Sequence, residues 1–234
     1  MFSLDAKVCL VVYGNGYGEN NCITNEDLRN GLRMGLKMVK AIIDPLSLAD
    51  RSRAYAETFP TWPAPRTDSR WIDGIWVLGN NYQSTTGYYG SYPPTYLRRI
   101  HAMFPDVQLC NILHACSGSL NNVHPCVTLD INPTLQPDVV GNVHCLPFSD
   151  GSFHMVIADP PYSSTDAEQY GYPMINRRLM IREAARVTRR NGFLAWLDVQ
   201  LPMFRKSEWH WFGAIGIVRS TNHRIRLLSL FQRI

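Results

Sequence analysis

Short, mostly apolar runs punctuate the second half of the chain, each bounded by glycine, proline, asparagine or aspartate. Residues 107–116, 127–130, 139–143, 153–158 and 193–199 have this form. Runs of this length with little polar alternation predict strands buried on both faces, as in a parallel sheet covered by its own connections. Residues 176–189 read differently: Leu179, Ile181, Ala184, Ala185 and Val187 recur among arginines at helical spacing. That period predicts an amphipathic helix, with Asn191-Gly192 as its C-cap. A further helix carrying Trp209, Trp211 and Phe212 is expected next, then two β-rich runs, 215–219 and 224–231, separated by Ser220, Thr221, Asn222 and His223. Nearer the start, Leu28, Leu32, Leu36, Met38 and Ile42 place a helix over residues 25–43 with Thr24 as N-cap. Residues 8–13 followed by Gly14, Gly16 and Gly18 imitate a strand and glycine loop, but lie too far from the later strands to belong to their sheet and are read as a hairpin or surface loop. Residues 60–65 read as a linker.

The buried run 153–158 leads directly into Asp159-Pro160-Pro161-Tyr162. The carboxyl end of a strand in an open α/β sheet is where ligands bind, and these residue types suit one chemistry. An exocyclic amine on a planar base is a poor nucleophile because its lone pair is delocalised into the ring. Two acceptors that draw its hydrogens out of plane make it a better one. Asp159 supplies one acceptor. Successive prolines fix φ and remove backbone donors, which frees the Pro160 carbonyl to be the second. Tyr162 offers a face on which a base taken out of its stack can rest. A Pro-Pro turn capped by aspartate also serves as plain turn chemistry.

With this motif the chain resembles the S-adenosylmethionine-dependent amino-methyltransferases, which methylate adenine N6 or cytosine N4 in DNA and have relatives acting on RNA. The resemblance is continuous from Tyr92 to the C-terminus and implies a class I, Rossmann-like fold: a mostly parallel seven-stranded sheet closed by an antiparallel C-terminal hairpin. It also implies a division into an N-terminal extension, residues 1–90, and a catalytic domain, residues 91–234. S-adenosylmethionine is the implied cofactor. Ala115, Cys116, Ser117, Gly118 and Ser119 stand where the family has its glycine-containing cofactor loop, although only Gly118 is a glycine. Asp130, followed by Ile131, stands where a carboxylate meets ribose hydroxyls. Asn142 and Val143 stand where an acidic or amide residue meets the cofactor's adenine; the family more often has aspartate there. Tyr92 and Pro93 resemble the segment over the methionine end of the cofactor, with Pro94 in the first turn of a helix. The interval from Cys116 to Cys126 is too short for a full crossover helix, so the helix is reduced to a turn or the second strand lies elsewhere.

Only 72 residues follow Tyr162, too few for a separate recognition domain. Recognition is therefore expected from residues 1–90, from a protein partner, or from the loop 163–173, where Gln169, Tyr170 and Tyr172 are the target-pocket residues. Adenine N6 in DNA is the leading substrate, by the aspartate in the first motif position; an RNA base amine is second. A non-catalytic subunit that binds cofactor or nucleic acid is a third reading, disfavoured by the intact motif.

Composition adds less. The net charge of +4 permits nucleic acid without demanding it. From Arg177 onward, however, twelve basic residues face three acidic ones, which suggests phosphate contacts. No apolar run approaches the ~18–20 residues of a membrane span, and residues 1–13 lack the form of a signal peptide. Six cysteines in a chain of this size read as reduced thiols of a cytoplasmic protein. Cys110, His114, Cys116, His124, Cys126, His144 and Cys145 are all metal-ligand types, but their spacing forms no Cys-x-x-Cys pair, and no metal is expected.

Overall fold

The computed structural model describes residues 45–79, 92–120, 125–219 and 225–234. The strand and glycine loop at residues 8–18, the helix over 25–43, His124 and the link 220–223 lie outside the described residues. Among those described, one sheet joins β1 (Arg66–Thr67), β2 (Ile72–Leu78), β3 (Ile112–Ala115), β4 (Val127–Asp130), β5 (Val139–Val140), β6 (Phe153–Ala158), β7 (Thr188–Asp198), β8 (Trp209–Arg219) and β9 (Ile225–Arg233). Its order is β1-β2-β8-β9-β7-β6-β3-β4-β5. The seven strands from β5 to β8 form a Rossmann-like sheet, mostly parallel, with an antiparallel strand toward one edge. Strands β5, β4, β3, β6 and β7 are parallel, and β9 runs antiparallel between β7 and β8.

The strands form where residues can be covered on both sides. Along β6, Met155 and Ile157 enter one apolar core while Val156 and Ala158 enter the other, the two-residue alternation of a strand. One core is covered by α1 (Leu48–Thr58) and α2 (Tyr96–Met103), through Tyr55, Ile100 and Met103. The other is covered by α4 (Arg177–Val187), through Met180, Ile181 and Ala184. A short α3 (Ser164–Gln169) follows the Asp159 motif.

Several expectations change. Residues 47–234 form one compact unit, and β2 pairs in parallel with β8, so the sheet reaches back across the division placed at residue 90. Residues 60–65 connect α1 to β1 within that unit. Arg51 of α1 ties this segment down: it is 1% exposed, bonds both oxygens of Asp106 at 2.7 and 2.8 Å, and stacks on Phe104 and Phe193. The helix α4 ends at Val187 and enters β7 at once, so Asn191-Gly192 is not its cap. Asn191 instead takes φ 62° inside β7, where the pairing with β6 shifts register. A Cβ at Gly192 would lie 2.6 Å from the His154 carbonyl oxygen, so only glycine fits this bulge.

Trp209, Trp211 and Phe212 lie in β8, not in a helix. The β preference of aromatics and the pairing with β9 decide the outcome. The apolar run from residue 107 begins as a single turn over Leu109–Asn111 before β3. Strand β4 falls where expected, so the β3–β4 connection is the short one; the described part, residues 116–120, is turn and coil. Pro94 precedes the N-cap Thr95 instead of entering the first turn of α2. Among the described residues no helix is long and apolar enough to cross a membrane.

Candidate functional site

Strand order reverses between β3 and β6, and the carboxyl ends of the parallel strands β3, β4, β5, β6 and β7 lie along one edge of the sheet at that switch point. Backbone bonds tie these ends together. The Asp159 N–H donates to the Ala115 carbonyl, the Ser117 N–H to the Leu129 carbonyl, and the Gly141 N–H to the Asp130 carbonyl. The sequence-predicted loops therefore do converge.

On the β3 side, Cys116 and Gly118 both take φ 57°, a left-handed turn that brings the Gly118 N–H to 2.9 Å from Asp130 Oδ2. The other oxygen of Asp130 accepts from the Asn132 N–H at 3.0 Å. Each carboxylate oxygen keeps a second lone pair for a ligand hydroxyl. Ser117 is buried, and its hydroxyl has no hydrogen-bond partner among the described residues. Tyr92 stacks on Tyr96 at 5.6 Å and reaches His114 Nδ1 with its hydroxyl at 3.2 Å, which places Tyr92 and Pro93 over the end of β3. Of the other predicted cofactor residues, Val143 is buried and Ile131 and Asn142 are exposed. Asn142 Oδ1 caps the turn by accepting from the His144 N–H at 2.9 Å.

Asp159 to Tyr162 form a clamped loop. Arg177, at the start of α4, donates through Nη2 to the Tyr162 carbonyl at 2.9 Å and more weakly to that of Pro161 at 3.4 Å. The same guanidinium pairs with Asp198 at the end of β7, Nε to Oδ2 at 2.6 Å and Nη2 to Oδ1 at 3.1 Å. Asp198 is wholly buried. Among the described residues no donor reaches the Pro160 carbonyl, the one the sequence predicts to be free. The Tyr162 hydroxyl donates to Asp159 Oδ1, so its phenol does more than offer a face. Because β9 is antiparallel, its first residues lie at this same edge, and the Arg226 guanidinium sits 5.0 Å from the centre of the Tyr162 ring. Gln169, Tyr170 and Tyr172 follow at the end of α3 and just beyond; Gln169 is exposed and the two tyrosines half-buried.

Arg177 and Arg226 were not separable in the sequence from the general basic excess, and Asp198 was read only as part of a strand. Five other C-terminal arginines do not converge here. Arg182, Arg186, Arg189, Arg190 and Arg233 line a cleft of about 770 Å³ beside Gly151 and Thr188, at the amino-terminal ends of β6 and β7 and so away from Asp159. Arg186 is taken up by Glu183, Asp150 and two backbone carbonyls, and Arg233 by the Ala185, Glu208 and Ile234 carbonyls. Cys110, expected inside a strand, is exposed in a single helical turn, and Cys145 is exposed in a turn.

Desolvation pushes the Asp159 carboxyl from 3.8 up to about 7, against the lowering effects of the Tyr162 hydrogen bond and Arg226; Asp198 raises it slightly. Tyr92, Tyr96 and Cys116 also face this carboxyl, and burial holds all three neutral by raising them well above their usual range. Taking up a proton, and accepting hydrogen bonds at both oxygens, requires the ionised carboxylate, so a rate that depends on it should rise with pH through about 7. Stability should move the other way. Between about 4 and 7 the folded state keeps a proton that the unfolded state has lost, a contribution that is full at low pH and is lost as pH rises through about 7. Tyr162→Phe removes a hydrogen bond that favours the ionised form, and should move the midpoint of the rate profile upward while leaving the high-pH plateau within a few-fold. An unshifted midpoint in Tyr162→Phe would detach the profile from Asp159.

No family model matches the chain, and no curated protein matches it. Solved structures that resemble it include TrmN from Thermus thermophilus, at 14% identity over 62% of this chain and 50% of that one, with a TM-score of 0.46. The chain thus spans half the length of that protein. The N-methyltransferase NodS from Bradyrhizobium japonicum aligns at 11% identity over 60% of this chain and 97% of that one, TM-score 0.42. A TehB-like SAM-dependent methyltransferase from Corynebacterium glutamicum aligns at 11% identity over 90% of this chain and 100% of that one, TM-score 0.31.

Proposed function

We propose that this protein transfers a methyl group from S-adenosylmethionine to an exocyclic amine of a nucleic-acid base. The observation that carries this reading is the clamped loop at the switch point, where a half-buried carboxylate and a proline carbonyl that no donor reaches among the described residues share one edge with an aromatic ring. The residues at the neighbouring strand ends suit the cofactor. The buried hydroxyl of Ser117 lacks a partner among the described residues, the turn at Cys116 and Gly118 is left-handed, and Asp130 retains lone pairs for ribose hydroxyls. When bound, S-adenosylmethionine supplies a methyl already activated by its sulfonium. The chain's own residues then position the amine: Asp159 and the Pro160 carbonyl accept its two hydrogens, Tyr162 supports the base, and Asp159 accepts the proton released. Most of the rate would come from that positioning.

The finer reading is adenine N6 in DNA; an RNA base amine is the alternative, and a protein partner or residues 1–90 would read the target sequence. The reading also places the protein in a reducing, cytoplasmic compartment, in keeping with the free thiols of Cys110, Cys116, Cys126 and Cys145. Labelled cofactor incubated with separate DNA and RNA pools, followed by nucleoside mass spectrometry, tests the activity, the nucleic acid and the base. A labelled N6-methyladenine from DNA is expected, and label in neither pool would remove the proposal.

The cofactor half has its own test. S-adenosylhomocysteine at about a hundredfold over its Kd should raise the melting temperature by about 5–10 °C. Asp130→Ala should abolish most of that shift, and Asp130→Asn, which still accepts from the Gly118 N–H, less of it. An unchanged shift in Asp130→Ala would take Asp130 out of the site.

A further inference from the structure

Arg226 is a buried cation of this site whose donors are only partly engaged among the described residues. It is 8% exposed, and its Nε and Nη1 atoms have no hydrogen-bond partner among the described residues. The nearby acids are engaged elsewhere. Both oxygens of Asp198 accept from Arg177, and the Trp196 indole and the Val199 N–H add to them. Asp159 accepts from the Tyr162 hydroxyl. A guanidinium taken out of water with open donors is costly to keep, because those N–H groups forfeit their hydration without replacement. Its cation–π contact with Tyr162 recovers only part of that cost. Such a group is satisfied once an acceptor arrives with a ligand. The carboxyl edge of the sheet, beside the ring on which the target base rests, is where a ligand arrives.

We infer that Arg226 is a target-binding residue that receives an anionic phosphate oxygen of the nucleotide whose base rests on Tyr162. The inference builds on the proposed nucleic-acid reading. Arginine is suited to this, being charged at every working pH and directing several donors in one plane toward phosphate. The ring contact fixes the guanidinium at the mouth of the base pocket before the target enters. The same pre-positioning allows one residue to hold both the aromatic ring and the backbone of the extruded nucleotide.

The test pairs a protein change with a substrate change. An oligonucleotide that the protein methylates is prepared with single neutral methylphosphonate linkages placed in turn around the target nucleotide. For the wild type, one of those linkages should weaken binding about tenfold. Arg226→Gln should bind the unmodified oligonucleotide about tenfold more weakly and show no further loss with that linkage, because the partner is already gone. Arg226→Lys, which keeps the charge, should retain part of the penalty and confirms that the position tolerates replacement. Affinity for S-adenosylhomocysteine should be unchanged in both. If Arg226→Gln and Arg226→Lys keep the full methylphosphonate penalty, or if the loss appears in S-adenosylhomocysteine affinity instead, the assignment is overturned, the latter pointing to the cofactor carboxylate as the anion. A wild-type protein that methylates no oligonucleotide overturns the parent reading, and this one with it.

Discussion

Asp159→Ala should lower methyl transfer by about 100- to 1000-fold, the usual cost of removing a group aimed at charge that develops in the transition state. Cofactor affinity and folding should be nearly untouched, and the structure supplies the reason. The loop is held by the Asp159 N–H on the Ala115 carbonyl and by Arg177 on the Pro161 and Tyr162 carbonyls, and none of these bonds uses the carboxylate. The carboxylate's described hydrogen bond is the one it accepts from Tyr162. Its burial is itself unfavourable to the charged form, so truncation at pH 8 relieves a cost instead of adding one. Asp159→Asn keeps an acceptor oxygen and should lose less. Tyr162→Ala should show a different balance: losing the stacking face costs about 1–3 kcal/mol of binding, and it also frees Asp159 Oδ1. Single-turnover rates with equilibrium binding separate the two. Full methyl transfer by a folded Asp159→Ala, or its failure to fold, would make the motif a structural turn and sink the mechanism.

The parts of the fold legible in the sequence are those set by local pattern. Strands β6, β4 and β9 are each short apolar stretches bounded by turn residues, and each appears within a few residues of its expected span. The parts that were not legible depend on partners distant in sequence. Residues 209–212 carry aromatics that fit either period, and they become strand because β9 lies alongside. Asn191-Gly192 has the composition of a helix cap, but the backbone crossing at His154 demands the same glycine for a bulge. Nothing local in residues 72–78 says that they extend the sheet beyond β8; that follows from an apolar edge at Ile215 and Ile217 meeting Ile72 and Trp76.

The site divides along the same line. Asp159 to Tyr162 and Asp130 carry their chemistry in adjacent residues, so a single segment announces them. Arg177, Asp198 and Arg226 come from a helix start, a strand end and the first turn of an antiparallel strand, and only the sheet topology brings them together. Charge counting could register an arginine-rich C-terminus. It could not divide arginines spent on carbonyls at the far end of the strands from those that build the site.

The second large effect is therefore expected at Arg177. Arg177→Met should destabilise the protein by about 3 kcal/mol, the low end for a broken buried pair, because Asp198 is left wholly buried with only Trp196 Nε1 and the Val199 N–H as donors. For a chain of this size that is about 6–12 °C in melting temperature. Methyl transfer should fall as well, since the Pro161 and Tyr162 carbonyls lose the donor that fixes the loop, and misplacement by about 1 Å can cost 100-fold in rate. A double variant, Arg177→Met with Asp198→Leu, separates the two consequences. Replacing a buried ion pair by apolar side chains is often neutral or stabilising, so much of the lost melting temperature should return. The rate should not, because neither new side chain can donate to the loop carbonyls. Recovery of activity together with stability would show that Arg177 serves only the fold; a stable but inactive double variant is the expected result.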